Sequence, residues 1–183
     1  MAVYDLPTKA DIGGKTYNLR TDYRAALDMI EIMNDSEISD DERGLLCLQI
    51  LYPEFDEMPQ TDYQEAIDYL YWFIGGGDEA PKTNGKKLMD WQQDFSLIVS
   101  PVNRVLGYEV RAVEYLHWWS FLAAYYEIGE CLYSQVVGIR SKKAKGIKLD
   151  KQDSEFYRRN RHLVDIKSRY TEADEETLSE WLV

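Results

Sequence analysis

Residues 116–126, "LHWWSFLAAYY", hold nine apolar residues in eleven positions, with two tryptophans side by side. Wound as an α-helix, with successive side chains about 100° apart, such a run has no polar face. A helix of that kind has to be wrapped by other elements, so it is expected as a central pillar. The core residues it predicts are Leu116, Trp118, Trp119, Leu122 and Tyr126. A bilayer is not the surround. A span needs about 20 predominantly apolar residues, and this run is interrupted by His117 and Ser120 and closed by Glu127.

The wrapping elements are legible as helices. "TDYRAALDMIEIMND" places Tyr23, Ala26, Leu27 and Ile30 on one face, with Thr21 as the expected N-cap and Arg24 spaced to pair with Asp28. "SDDE" gives Ser39 and Glu42 capping-box spacing, with acids in the electropositive first turn. That helix stops at Pro53. Thr61 and Gln64 predict a second capping box, followed by an apolar stripe from Tyr63 to Ile74 that ends at Gly75-Gly76-Gly77.

Further on, Trp91, Phe95 and Ile98 share a face, and Ser100-Pro101 is expected to break and restart the helix. Beyond the pillar, Leu132, Val136 and Ile139 line one side of a helix, and residues 150–166 predict a basic amphipathic one carrying Phe156, Tyr157 and Leu163. Before all of these, two short runs flank Gly13-Gly14, the chemistry of a tight β-hairpin. The fold class is therefore mainly α: a helical bundle with a small N-terminal hairpin. The expected organisation is an N-terminal group over 1–74, a Gly/Pro-rich mobile linker over 75–87 and a C-terminal group over 88–183, with a single compact domain as the alternative.

Cys47 and Cys131 each sit in an apolar pattern without metal spacing and read as reduced core residues. The start of the chain lacks a basic cluster followed by an apolar run, so no signal peptide is expected. Both readings suit the cytoplasm.

Convergent groups for catalysis are scarce. His117 lies in the apolar run and reads as a core imidazole, while His162 is flanked by arginines and reads as exposed. The acid clusters at 40–42 and 172–176 read as a helix start and a solvated tail. The glycine-rich loop lacks a phosphate-loop ending, and no nucleophile elbow is present. No catalytic, cofactor or metal site is expected, and the sequence argues against an enzyme.

Charge is the remaining signal. The chain carries a net −12, yet residues 140–169 hold eleven Lys/Arg against four Asp/Glu. The segment "RSKKAKGIKLDK" supplies Arg140, Lys142, Lys143, Lys145 and Lys148 as candidate partner-binding residues. It reads either as a solvated helix end or as a patch for an acidic partner or a second copy. Nucleic acid through residues 140–161 is disfavoured, because the surrounding acidity repels phosphate within a Debye length of about 8–10 Å.

Residues 90–164 also resemble a known family. Asp90 and Asp94, "LHWW" at 116–119, "EIGEC" at 127–131 and "IRSKKAKG" followed by "EFYRRN" are similar to the bacteriophage gene-product-fifteen proteins. The N-terminal "IGGKTYNLRTDYR" fits as well. The resemblance implies a tail-region protein acting in the cytoplasm of an infected bacterial host. Its implied role is a tail assembly chaperone that binds the tape-measure protein and the tail tube protein and self-associates. A head–tail connector or tail completion protein is the alternative. No site residues come with the family.

Overall fold

A computed structural model describes residues 4–78 and 87–167, and the expected hairpin opens it. Strands β1 (Lys9–Ile12) and β2 (Lys15–Asn18) pair antiparallel with Ala10 opposite Tyr17 and Ile12 opposite Lys15. Gly13 and Gly14 stand at φ 57° and 79°, the positive values that a two-residue turn between twisted strands requires. The alternation of a half-buried pair follows: Ala10, Ile12 and Tyr17 are buried while Lys9, Asp11, Lys15 and Thr16 face water.

Eight α-helices follow among the described residues: α1 (Tyr23–Met33), α2 (Asp40–Leu51), α3 (Tyr63–Ile74), α4 (Trp91–Leu106), α5 (Trp118–Tyr126), α6 (Leu132–Ala144), α7 (Lys151–Arg159) and α8 (Arg161–Val164). The protein is mainly α with an N-terminal hairpin. It divides into two compact units, Met1–Gly85 with Phe95–Cys131, and Lys86–Asp94 with Leu132–Val183. This differs from the expected halves, because residues 95–131 return to the first unit. Residues 79–86 of the expected linker and the acidic end from 168 onward lie outside the described residues.

In the first unit the hairpin lies on α3. Gly13 N–H donates to Glu65 Oε2 at 2.9 Å, and the Tyr69 hydroxyl donates to the Lys9 carbonyl at 3.2 Å. Between α2 and α3, Tyr52 is buried, donates to the Ala66 carbonyl at 3.2 Å and meets Tyr17 edge-on. Helices α1 and α2 pack together, and Cys47 Sγ reaches the Met29 carbonyl at 3.6 Å. No disulfide joins Cys47 to Cys131; the first is buried and the second half-buried.

The caps sort into one that follows local sequence and two that do not. Ser39 and Glu42 form the expected reciprocal box. For α1 the cap is Asp22, not Thr21: its carboxylate accepts from Arg24 N–H and also from Leu116 N–H. Arg24 turns back to Asp22 instead of forward to Asp28. The buried members of α1 are Tyr23, Ala25, Ala26 and Met29, with Leu27 and Ile30 only half-buried. The Thr61–Gln64 box does not form, because a 3₁₀ turn at Gln60–Asp62 leads into α3 and Gln64 bonds Asp68.

Helix α4 runs through Pro101 without a restart. Proline removes one backbone hydrogen bond and crowds the preceding turn, but Ile98 and Val102 are both fully buried on either side of it. That shared apolar stripe holds the two halves in one register.

The expected pillar is α5, and it is shorter and less enclosed than a helix apolar all round would be. Trp118, Phe121, Leu122 and Ala124 are buried, Trp119 is half-buried, and Ala123 is exposed. Tyr126 is 71% exposed and is not a core residue. Leu116 is buried but precedes the helix as part of an extended segment. In the second unit Leu132 is likewise exposed, where a buried stripe was expected; Tyr133, Val136, Ile139 and Arg140 are the buried members of α6. The expected basic helix over 150–166 is two, α7 and α8, divided at Asn160.

Candidate interaction surface

The basic segment of α6 is largely turned to structural use. Arg140 is buried and donates to five acceptors: Asp94 Oδ2 and Oδ1 at 2.6 and 2.9 Å, and the carbonyls of Val164, Leu163 and Leu88 at 2.7, 2.7 and 3.1 Å. A guanidinium has five N–H donors, so none is left for a partner. Asp94 is buried too and also accepts from Asp90 N–H at 3.0 Å. The proposed role of Arg140 in partner binding is therefore corrected: it closes the second unit by tying Leu88–Asp94, α6 and α8 together.

Lys142 pairs with Asp153, whose backbone N–H is in turn held by the α7 cap Asp150. Lys143 pairs with Asp165 at 2.6 Å and sits 3.9 Å over the Tyr157 ring. Burial pushes the Asp165 carboxyl up, but hydrogen bonds from Lys143, Arg161 and Tyr157 outweigh it, and its pKa ends below the usual value. Of the five candidates only Lys145 and Lys148 stand exposed without such pairing.

The tryptophan pair is explained within the first unit. Trp118 Nε1 donates to the Ile74 carbonyl at 3.0 Å and Trp119 Nε1 to the Phe73 carbonyl at 2.8 Å. These carbonyls close α3, where helix ends leave acceptors short of partners; that of Phe73 also takes the Gly76 N–H at 3.2 Å. Side-chain packing makes room for this: a Cβ on Gly77, at φ 96°, would lie 3.0 Å from Trp119 Cη2. The two indoles thus cap a helix C-terminus from outside. Sequence spacing does not reveal this.

His117 is the N-cap of α5. Its Nδ1 accepts from Trp119 N–H at 3.0 Å, so its Nε2, 3.0 Å from the Pro7 carbonyl, is the protonated nitrogen and donates there. Burial lowers its pKa against a smaller opposing effect of that bond. The imidazole is neutral and committed on both sides, as a core histidine and not a base beside a cleft.

An open surface does occur in the first unit, between α2 and α3. Asp40, Arg43, Gly44 and Cys47 recur at helical spacing along α2, and Ile67, Leu70 and Tyr71 face them from α3 around a groove of about 290 Å³. Gly44 lets α3 come close: a Cβ there would sit 3.2 Å from Ile67 Cδ1. Glycine inside an exposed helix costs about 1 kcal/mol relative to alanine, so local propensity does not account for it. Tyr71 is 54% exposed at the rim. Burial pushes the Cys47 thiol up to about 11, which keeps the groove floor protonated and unreactive near neutral pH.

Asp40 is the one carboxylate that lines the groove. Residues 34–42, the connection into α2 and its first turn, carry five carboxylates and no base. Arg43 is the cation among the lining residues, and it is held by Asp40 at 3.0 Å and by the Ile38 carbonyl at 2.8 Å. Over the whole first unit there are eight Lys/Arg against 22 Asp/Glu. The acidic and basic parts of the sequence thus follow the structural units, apart from the acidic end.

Among the described residues no group of three or more His, Cys, Asp or Glu side chains is placed to hold a metal ion, and no helix is long and apolar enough to cross a membrane. The class these features define is a mainly α-helical protein with an N-terminal β-hairpin whose buried polar groups serve packing. Residues 3–166 match the family described as Bacteriophage Gp15 protein, and the chain belongs to that family. No curated protein and no solved structure matches it. Membership points to a structural or assembly role in a phage.

Proposed function

We propose that this protein is a tail assembly chaperone that binds the tape-measure protein while the tail tube is built, and that it works by adhesion, not by chemistry. The family match over residues 3–166 carries the reading. The strong acidity of the first unit, eight Lys/Arg against 22 Asp/Glu, supports it, because a chaperone for a long polypeptide needs like charge that keeps complexes apart. Tail tube protein is a second expected partner, and the host cytoplasm the expected place. Self-association is part of the same reading, with Lys145 and Lys148 as the exposed part of the basic segment. A nucleic-acid partner fits less well, since Arg140, Lys142 and Lys143 are already paired.

Co-expression with the tape-measure protein of the same phage tests this. A soluble complex containing both chains is expected; an insoluble tape measure with nothing co-purifying overturns it. Mass spectrometry of purified virions separates the chaperone from a head–tail connector or tail completion protein. A chaperone is missing from mature particles, and a connector is present.

A further inference from the structure

We infer that the basic cleft where α7 meets α8 is the seat of this chain's own acidic segment, residues 170–183, which occupies it and screens its cations. The inference goes beyond the tail-assembly reading and does not depend on it.

The cleft belongs to the second unit and has a volume of about 490 Å³. Arg158, Arg159, Arg161 and Lys167 line it, with Asp165 as the lining carboxylate. Two of these cations are paired, Arg159 with Glu155 at 2.6 Å and Arg161 with Asp165 at 3.0 Å. Asp165 is shared, because Lys143 also pairs with it at 2.6 Å. Arg158 and Lys167 are exposed and have no acidic partner among the described residues. Counting Lys143 and Glu155, five cations stand against two carboxylates, and the surplus faces water.

Continuity and charge name the occupant. Lys167, at the edge of the described residues, is itself part of the lining. Residues 170–183 carry Glu172, Asp174, Glu175, Glu176 and Glu180 and no Lys or Arg. Five extended residues cover at most roughly 17 Å, so Glu172 and the acids after it come within reach of a cleft of this size. Carboxylates and guanidinium groups make the stronger, charge-assisted kind of hydrogen bond. A short tether also holds such a segment at an effective concentration on the order of millimolar. A free acidic partner has to displace it. Nucleic acid meets a further penalty, because the 22 carboxylates of the first unit against its eight cations repel phosphate.

The experiment uses the full chain and a fluorescently labelled peptide of residues 170–183, with binding read by anisotropy at low salt. In wild type the seat is already filled. Neutralising the chain's own segment with Glu172→Gln, Asp174→Asn, Glu175→Gln and Glu176→Gln is expected to tighten peptide binding at least tenfold. Adding Arg158→Glu and Lys167→Glu to that chain is expected to reverse the gain; both residues are exposed, so the fold is kept. A control removes four exposed acids of the first unit instead, with Asp5→Asn, Asp28→Asn, Glu37→Gln and Asp41→Asn. Peptide binding is expected to stay at the wild-type level.

Equal affinity for wild type and for the chain with the neutralised segment overturns the inference, because nothing then occupies the seat. An equal gain from the first-unit control overturns it too, since bulk charge would be the cause. A gain that survives Arg158→Glu with Lys167→Glu overturns the cleft as the seat. Light scattering on wild type and on Arg158→Glu with Lys167→Glu separates one chain from two. An unchanged mass supports the proposal; an oligomer that the two changes dissolve makes a second copy's segment the occupant and overturns it. A labelled oligothymidylate that binds wild type and is lost with the same two changes makes nucleic acid the occupant and overturns it as well.

Discussion

Asp94 and Arg140, 46 residues apart, form a two-bond ion pair with side chains only 1% and 4% exposed. Every guanidinium N–H is used, and the carboxylate takes a third hydrogen bond from the Asp90 backbone. Desolvating both charges is expensive, and such a pair repays the cost only when the remaining donors and acceptors are satisfied, as they are here.

Removing one partner strands the other. Asp94→Asn or Arg140→Met is expected to cost about 3–5 kcal/mol in the second unit, whereas the double change Asp94→Leu with Arg140→Met costs much less. Arg140→Lys also fails, because an ammonium cannot reproduce the fork. Urea denaturation of the four variants, followed by far-ultraviolet circular dichroism, checks the order.

The indole caps give a second prediction. Trp119→Phe keeps most of the ring contact with Trp72 and Phe73 but loses the N–H to the Phe73 carbonyl. That carbonyl keeps the Gly76 N–H at 3.2 Å, so a loss of about 0.5–1.5 kcal/mol, the net worth of one hydrogen bond, is expected. Trp118→Phe, at a site 1% exposed, loses more, because a smaller ring leaves a void as well. Differential scanning fluorimetry of both variants reads the difference.

At the hairpin, the two glycines are not equivalent. A Cβ on Gly13 would fall 2.1 Å from Asp62 Oδ2, while nothing lies within 4 Å of one on Gly14. Gly13→Ala is therefore expected to destabilise by at least 1–2 kcal/mol through strain and displacement of Asp62. Gly14→Asn, a residue that tolerates positive φ, is expected to be nearly neutral. Thermal melts of the two variants side by side decide it.

His117 makes the fold sensitive to acid. Its folded pKa is depressed below the ordinary value of 6.5, so the unfolded chain takes up a proton first as pH falls. Stability from the neutral imidazole is present above about 6.5 and is lost as pH drops toward the folded value. Protonation would also end acceptance of the Trp119 N–H. His117→Asn retains a capping acceptor without the titration, so between pH 7.5 and 5 its denaturation midpoint is expected to move less than that of wild type.

How far the sequence could be read depended on the distance over which each decision is made. The Ser39–Glu42 box and the Gly13-Gly14 turn are settled within four residues, and both were legible. Thr21 and Asp22 are equally good local caps; Asp22 prevails because it also holds Leu116 N–H, 94 residues away. Arg140 read as surface charge because its acceptors come from two other segments of the second unit. Tyr126 read as core because hydropathy alone cannot tell which side of a short helix stays uncovered. The close approach of α3 at Gly44 is decided by Ile67, 23 residues away, so in sequence that glycine registers only as a weak point in a helix.

The crossing of Thr21–Tyr23 with Leu116–Trp118 has a consequence for biosynthesis. Trp118 is translated 44 residues after its acceptor Ile74, a delay of roughly 2–9 s at about 5–20 residues per second. During that interval the nascent hairpin and first three helices have left the peptidyl transferase centre without the segment that seals them. Codon changes that slow the ribosome between residues 75 and 118 would lengthen this vulnerable period and lower the yield of soluble chain.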